Sequence, residues 1–273
     1  MATGRDTTGA ACLCVTNAKG GTGKTTVAIN VAGALNERGH DVLFVDLDPQ
    51  GNATEGLGLA DAYDARPPSL FDVLTDAGER DRLADIVIEH PEMDVVPSNI
   101  DMLQAERELT VADLVARAGE GGADVDPAAL SSLAVNVTPE AVSGPHALDT
   151  LDRALDGVAG GYDYVVVDSP PFYGKLTDTG IYATRAILVP ALAEATSERA
   201  VELLIDQMTA LEAQADIAVE TLGVDSTRLA TTPSVSTSMS AWASRAVIWS
   251  MSNSTARSEV ASASAGTKIA RVA

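Results

Sequence analysis

Lysine is scarce in this chain. Its 273 residues contain Lys19, Lys24, Lys175 and Lys268 and no other lysine, within 18 basic against 39 acidic residues. A net charge of −21 argues against binding nucleic acid by bulk charge, so any phosphate contact needs a local basic site. Aromatic residues are few as well, at 4%. Strong acidity with arginine preferred over lysine reads as a halophile signature; the alternative is an acidic protein of an ordinary cytoplasm. Cysteine is confined to Cys12 and Cys14. Two apart on one strand, they share a side and read as small core residues, able to hold a metal only with a partner subunit. His40, His90 and His146 stand in polar or proline-adjacent contexts and form no ligand set. No run of about 18 apolar residues exists, so no membrane helix is expected. The start, Met1 to Ala10, lacks the apolar centre of a signal peptide, and the expected location is cytoplasmic.

Against this background, two of the four lysines fall in one octapeptide, Lys19-Gly20-Gly21-Thr22-Gly23-Lys24-Thr25-Thr26. It follows the apolar run Ala11 to Val15 and precedes a helical pattern of Val27, Val31, Ala34 and Leu35, with Gly39 as a stop. Strand, glycine-rich turn and helix are the setting of a phosphate-binding loop. Gly20, Gly21 and Gly23 let the backbone close around an anion, at the positive end of the following helix. Lys24 is placed to neutralise the β- and γ-phosphates. The Thr25 hydroxyl is placed to ligate Mg²⁺, and Thr26 can contact a phosphate oxygen. The general pattern has glycine six residues before the lysine. Here Ala18 stands there, so the loop is a variant that starts with Lys19 and Gly20.

Two further strands deliver carboxylates. Val42 to Val45 runs into Asp46-Leu47-Asp48-Pro49-Gln50-Gly51-Asn52-Ala53-Thr54, and Tyr162 to Val167 runs into Asp168-Ser169-Pro170-Pro171. The run Val165 to Val167 fits a strand buried on both faces, which brings Asp168 to the carboxyl end of a sheet, where ligands bind in open α/β folds. A carboxylate there can hold a Mg²⁺-bound water. Asp46 and Asp48 are two apart and share an orientation. One can support the Mg²⁺ shell while the other orients the attacking water.

These three motifs, in this order, resemble the ParA/Soj partition ATPases of the MinD/ParA deviant Walker P-loop group. The resemblance covers about residues 10 to 224 and is weakest between about 102 and 160; Pro49-Gln50-Gly51-Asn52 favours the ParA/Soj branch over MinD. It implies ATP and Mg²⁺ as ligands, with Asp48 activating water and Asp46 near the metal. It implies that Lys19 reaches the partner's phosphates across an ATP-sandwiched homodimer. It further implies weak, partner-stimulated ATP hydrolysis, non-specific DNA binding, a ParB-like or cargo partner, and no membrane attachment. The cysteine positions count against the iron–sulfur relatives of the group. A MinD-like positioning ATPase is one rival, disfavoured by the small residues of Val260 to Ala273. A nucleotide-binding scaffold with impaired hydrolysis is another.

Alternating patterns predict a three-layer α/β/α P-loop fold with a mainly parallel sheet. Strands are expected near 11–17, 41–46, 93–97, 164–168, 186–190 and 217–223. Helices are expected near 24–38, 68–75, 101–117, 148–158, 177–184 and 197–213. In the last, Ser197 is expected to cap, and Val201, Leu204, Ile205, Met208 and Leu211 to line one face. Pro190 is expected to end its strand. The ATPase domain should occupy residues 1–225, with an insertion near 119–145.

From Ser226 the character changes. Five basic residues stand against Glu259 there, whereas 13 basic stand against 38 acidic before it. Three readings are open for 226–273: a shifted reading frame, which the abrupt end of the acidic bias favours; a basic DNA-contacting arm; or a divergent ordered end, in which Met239, Trp242, Ala246 and Trp249 share a helical face. Arg185 and Arg199 are further candidates for DNA contact.

Overall fold

The computed structural model describes residues 9–120, 147–192 and 195–226. Its strands are β1 (Ala11–Val15), β2 (Val42–Asp46), β3 (Asp94–Val96), β4 (Tyr164–Asp168), β5 (Ala186–Ala191) and β6 (Glu220–Ser226). They form one sheet in the order β3-β2-β4-β1-β5-β6, with every pairing parallel. The helices are α1 (Lys24–Asn36), α2 (Asn52–Gly56), α3 (Ala60–Tyr63), α4 (Leu70–Thr75), α5 (Met102–Glu120), α6 (Thr150–Asp156), α7 (Lys175–Thr184) and α8 (Ala195–Ala215). A 3-10 segment, Arg80–Ile86, follows α4.

The run Tyr164 to Val167 explains the centre of the sheet. β4 lies between β1 and β2, and all five of its residues are buried. Successive side chains alternate between faces. Val166 joins Val15, Phe44 and Leu188 against Val27, Val31 and Leu35 of α1. Val165 and Val167 join Leu43, Val45 and Val189 against Leu176 and Ile181 of α7 and Leu151 and Leu155 of α6. Each fully buried aliphatic side chain contributes about 1.5–3 kcal/mol, and two such layers make a rigid platform for the loops at the carboxyl ends. Cys14 is buried and Cys12 partly so, both on the second of these faces.

Most element positions match the sequence pattern, with particular departures. The α8 helix starts two residues before Ser197, so Ser197 lies within the first turn instead of capping it. Leu204, Met208 and Leu211 are buried as expected, but Ile205 is 56% exposed. At 3.6 residues per turn, Ile205 is rotated about 100° from Leu204, off the seam. The β5 strand continues past Pro190 to Ala191, and β6 begins at Glu220 instead of 217. The short helices α2 and α3 and the Arg80–Ile86 segment were not evident in the pattern. Residues 121–146, most of the expected insertion, lie outside the described residues. So does the tail from residue 227, with Trp242 and Trp249.

Candidate functional site

The loop between β1 and α1 has the backbone its glycines require. Gly21 has φ 75° and Gly23 φ 82°, the left-handed region that a side chain strains. Gly23 directly precedes α1, so the loop ends on that helix's N-terminus, where free N–H groups favour an anion. Asn17 anchors the entry to the loop. Its Nδ2 donates to the Pro190 carbonyl at 2.7 Å, and its Oδ1 accepts from the Lys19 N–H at 3.0 Å. The Thr22 hydroxyl donates to the Lys19 carbonyl at 3.3 Å.

Lys24 is nearly buried, and its Nζ donates to the Lys19 carbonyl at 3.5 Å, a long contact. Burial lowers its pKa from the usual lysine range, while Asp168 and Asp48 pull the other way. The amine thus sits in a largely buried place beside two carboxylates.

The acids gather because parallel register aligns the strand ends. Asp46 pairs with Asp168 across β2 and β4, and Val15 pairs with Asp168 across β1 and β4. All three sequence-predicted carboxylates are buried: Asp46 and Asp168 at 0% exposure, Asp48 at 4%. Their hydrogen bonding differs sharply. Asp46 Oδ2 accepts from the Thr54 N–H at 2.8 Å and the Thr54 hydroxyl at 2.6 Å, and its Oδ1 accepts from the Asp48 N–H at 3.2 Å. Asp48 Oδ1 accepts from the Gln50 N–H at 3.0 Å. Neither oxygen of Asp168 has a partner at hydrogen-bond geometry.

Burial raises all three pKa values. Asp46 is pushed up to about 6, with the Thr54 contacts working against the shift. Asp48 is raised, offset by the Gln50 N–H and Lys24. Asp168 is raised well above the carboxylate range by burial and then by the Asp46 charge; the Thr25 hydroxyl offsets this only in part. A buried carboxylate so short of donors is costly. A cation beside Asp168 and Thr25 would relieve that cost, so these residues fit Mg²⁺. Among the described residues, no cluster of three or more His, Cys, Asp or Glu could hold a metal unaided. Mg²⁺ keeps waters and binds one or two protein oxygens plus substrate phosphates.

Lys19 leaves the loop in another direction. Its Nζ donates to the Ser197 hydroxyl of α8 at 3.3 Å. Lys19 and Arg199 line an open groove of about 400 Å³ with Phe172, Tyr173 and Leu203. The Tyr173 hydroxyl donates to the Ala200 carbonyl, tying the segment after Asp168 to α8. The Asp168 segment is fixed at its other end by Glu106, whose carboxylate accepts from the Lys175 and Leu176 N–H groups at 2.7 and 3.0 Å.

Arg185 and Arg199 are not brought together. Arg199 lies beside Lys19 and pairs with Glu202 at 2.9 Å. Arg185 stacks over Tyr182 and immediately precedes β5, at the opposite end of the sheet. Sequence reasoning missed Asn17, Tyr63 and Ser98, gave Ser197 the role of a cap instead of a partner for Lys19, and did not single out Thr54. Thr54 lies within the Asp46 motif segment; the others carry no local signal.

Comparison with known proteins agrees with this geometry. The AAA domain family profile matches residues 10–117 and 127–221. The chain is 32% identical over 183 residues to the sporulation initiation inhibitor protein Soj of Bacillus subtilis, covering 67% of this chain and 58% of that protein. It is 35% identical over 183 residues to the chromosome partitioning protein ParA of Caulobacter vibrioides, covering 67% and 56%. The chain therefore spans a little over half the length of these relatives. Among solved structures, a cobyrinic acid a,c-diamide synthase of Mycobacterium smegmatis with bound ATP analog and magnesium is similar at TM-score 0.63 and 27% identity, covering 84% of this chain and 80% of that one. The ATP complex of Cyanothece McdA shares the fold at TM-score 0.61 and 23% identity, covering 87% and 77%. No helix among the described residues is long and apolar enough to cross a membrane. With its phosphate loop, its converging carboxylates and these matches, the chain belongs to the AAA domain family and, within it, to the ParA/Soj partition ATPases.

Proposed function

We propose that this protein is a Mg²⁺-dependent ATPase that dimerises on ATP, binds DNA in that state, and serves plasmid or chromosome partition or cargo positioning. The observation that carries the reading is Asp168, fully buried beside Lys24 and Thr25 with neither carboxylate oxygen satisfied.

The backbone N–H groups of Gly20, Gly21, Thr22 and Gly23 cradle the phosphates, and Lys24 neutralises the β- and γ-oxygens. Thr26 adds a hydroxyl contact. Thr25 and Asp168 hold Mg²⁺, with Asp46 close behind. When bound, the cation supplies charge neutralisation on the phosphate oxygens. Asp48 orients the attacking water and receives its proton; the raised pKa of its carboxyl suits that task. Lys19 moves from Ser197 to the second copy's phosphates, where it stabilises charge on the transferring group. A ParB-like partner accelerates turnover, and hydrolysis resets the dimer. Contact with DNA falls to local basic groups such as Arg199, because the chain as a whole repels phosphate.

Isothermal calorimetry of the full chain with ATP and Mg²⁺ in high salt tests the site. Binding with one nucleotide per protomer, together with ATP-dependent dimerisation and DNA retention, supports the reading. Failure to bind ATP defeats it.

A further inference from the structure

Asp48 is gripped from both sides by a closed ring of hydrogen bonds. The Thr54 hydroxyl donates to Asp46 Oδ2 at 2.6 Å, and the Ser98 N–H donates to Thr54 Oγ1 at 2.9 Å. The Ser98 hydroxyl donates to the Asp48 carbonyl at 2.7 Å, and the Asp48 N–H returns to Asp46 Oδ1 at 3.2 Å. Asp46, Thr54 and Ser98 are all at 0% exposure. The ring joins the end of β2 and the short helix α2 that follows it to the loop after β3, more distant in sequence.

The geometry points to Ser98 and Thr54 as positioning residues that aim Asp48 at the attacking water. The ring holds the peptide units on both sides of Asp48, which fixes the direction of its Cα–Cβ bond. The Gln50 N–H, at 3.0 Å from Oδ1, then limits rotation of the carboxylate. In so buried a place each missing hydroxyl leaves an acceptor or donor without its protein partner. A ring that only filled the core would support ATP binding and turnover alike. One that aims Asp48 affects the chemical step, because a misplacement of about 1 Å in a reacting group can cost up to about a hundredfold in rate.

This inference rests on Asp48 as the water-orienting residue. Its test compares steady-state turnover, ATP affinity and melting temperature for the full wild-type chain, Ser98→Ala, Thr54→Val, Thr54→Ser and the double variant Ser98→Ala/Thr54→Val. Ser98→Ala and Thr54→Val should each lower kcat about tenfold with ATP affinity changed less than about twofold. Thr54→Ser, which keeps the hydroxyl, should retain most of the turnover. The double variant should lose about as much as either single one, because both break the same ring. Should Ser98→Ala not fold, the two Thr54 variants carry the comparison. Unchanged kcat in the variants, or kcat and ATP affinity falling together, overturns the inference. A wild-type chain that binds ATP but never hydrolyses it overturns the parent reading of Asp48 instead.

Discussion

Asp46 and Asp168 are register partners at the ends of β2 and β4, both fully buried, yet one carboxylate accepts three hydrogen bonds and the other none. Asp46 organises its own loop. Asp168 has only the Thr25 hydroxyl and Lys24 set against its charge. The sheet therefore places two carboxyl groups side by side and provides backbone and hydroxyl donors mainly for one of them.

The burial of Asp46 gives the apoprotein a pH dependence. Asp46 has its pKa raised to about 6 by burial, so it binds a proton more tightly folded than unfolded. Its stabilising contribution is complete below the unfolded pKa near 4 and is lost as pH rises through about 6. At 1.36 kcal/mol per unit the full swing is about 3 kcal/mol. In EDTA without nucleotide, the stability of the wild type relative to Asp46→Asn should fall between pH 4 and 7. Urea denaturation at several pH values measures this. A difference independent of pH would contradict it.

Binding and turnover should separate at two residues. Lys24→Ala removes the ammonium under the loop and should abolish ATP binding in calorimetry. Asp48→Ala should leave binding intact, reduce turnover to background and accumulate dimers in ATP, seen by light scattering. An Asp48→Ala variant that hydrolyses ATP at the wild-type rate would remove Asp48 from the mechanism.

Gly51 is held by two constraints at once. Its φ is +64°, and a Cβ there would lie 2.5 Å from the Tyr63 ring. The Tyr63 hydroxyl in turn donates to the Pro49 carbonyl at 2.7 Å, clamping the loop that carries Asp48. Gly51→Ala should destabilise by about 1–3 kcal/mol from the strained backbone alone, with ring displacement adding to it. Combining it with Tyr63→Ala should cost less than the two changes summed. Strict additivity in thermal melts would show that the ring does not press on Gly51.

The charge of −21 should make the fold salt-seeking. Raising KCl from about 0.1 to 1 M shortens the screening length from about 10 to 3 Å and weakens repulsion among the carboxylates. The melting temperature should rise over that range, while DNA retention falls. A melting temperature that drops with KCl would count against a halophilic design.

The phosphate loop and the three acids were legible in the sequence because each is contiguous with its own strand. Gly21 and Gly23 betray the turn by needing positive φ, and Val165 to Val167 betray the central strand by being apolar throughout. Ser98, Tyr63 and Glu106 were not legible. Each acts on a residue brought near by the sheet order, and nothing in its own neighbours marks it. Ile205 was misplaced because a helical face is decided by what packs on it, and the core meets Leu204 and Met208 instead. Ser197 has the chemistry of a cap, but α8 begins earlier and its hydroxyl serves Lys19.

The position of β4 has a consequence for assembly. It enters from residue 164 to lie between strands that begin at residues 11 and 42. No contiguous stretch of chain can build the site, because a nascent chain ending before β4 has its phosphate loop and Asp48 but a gap where the sheet should be. Closing that gap is a long-range event, of the kind that slows folding. It also carries the Asp168 carboxylate into the interior. Ligands that bind only the folded sheet pull this step to completion, so the strand that joins its two halves is also the one most dependent on what the fold is for.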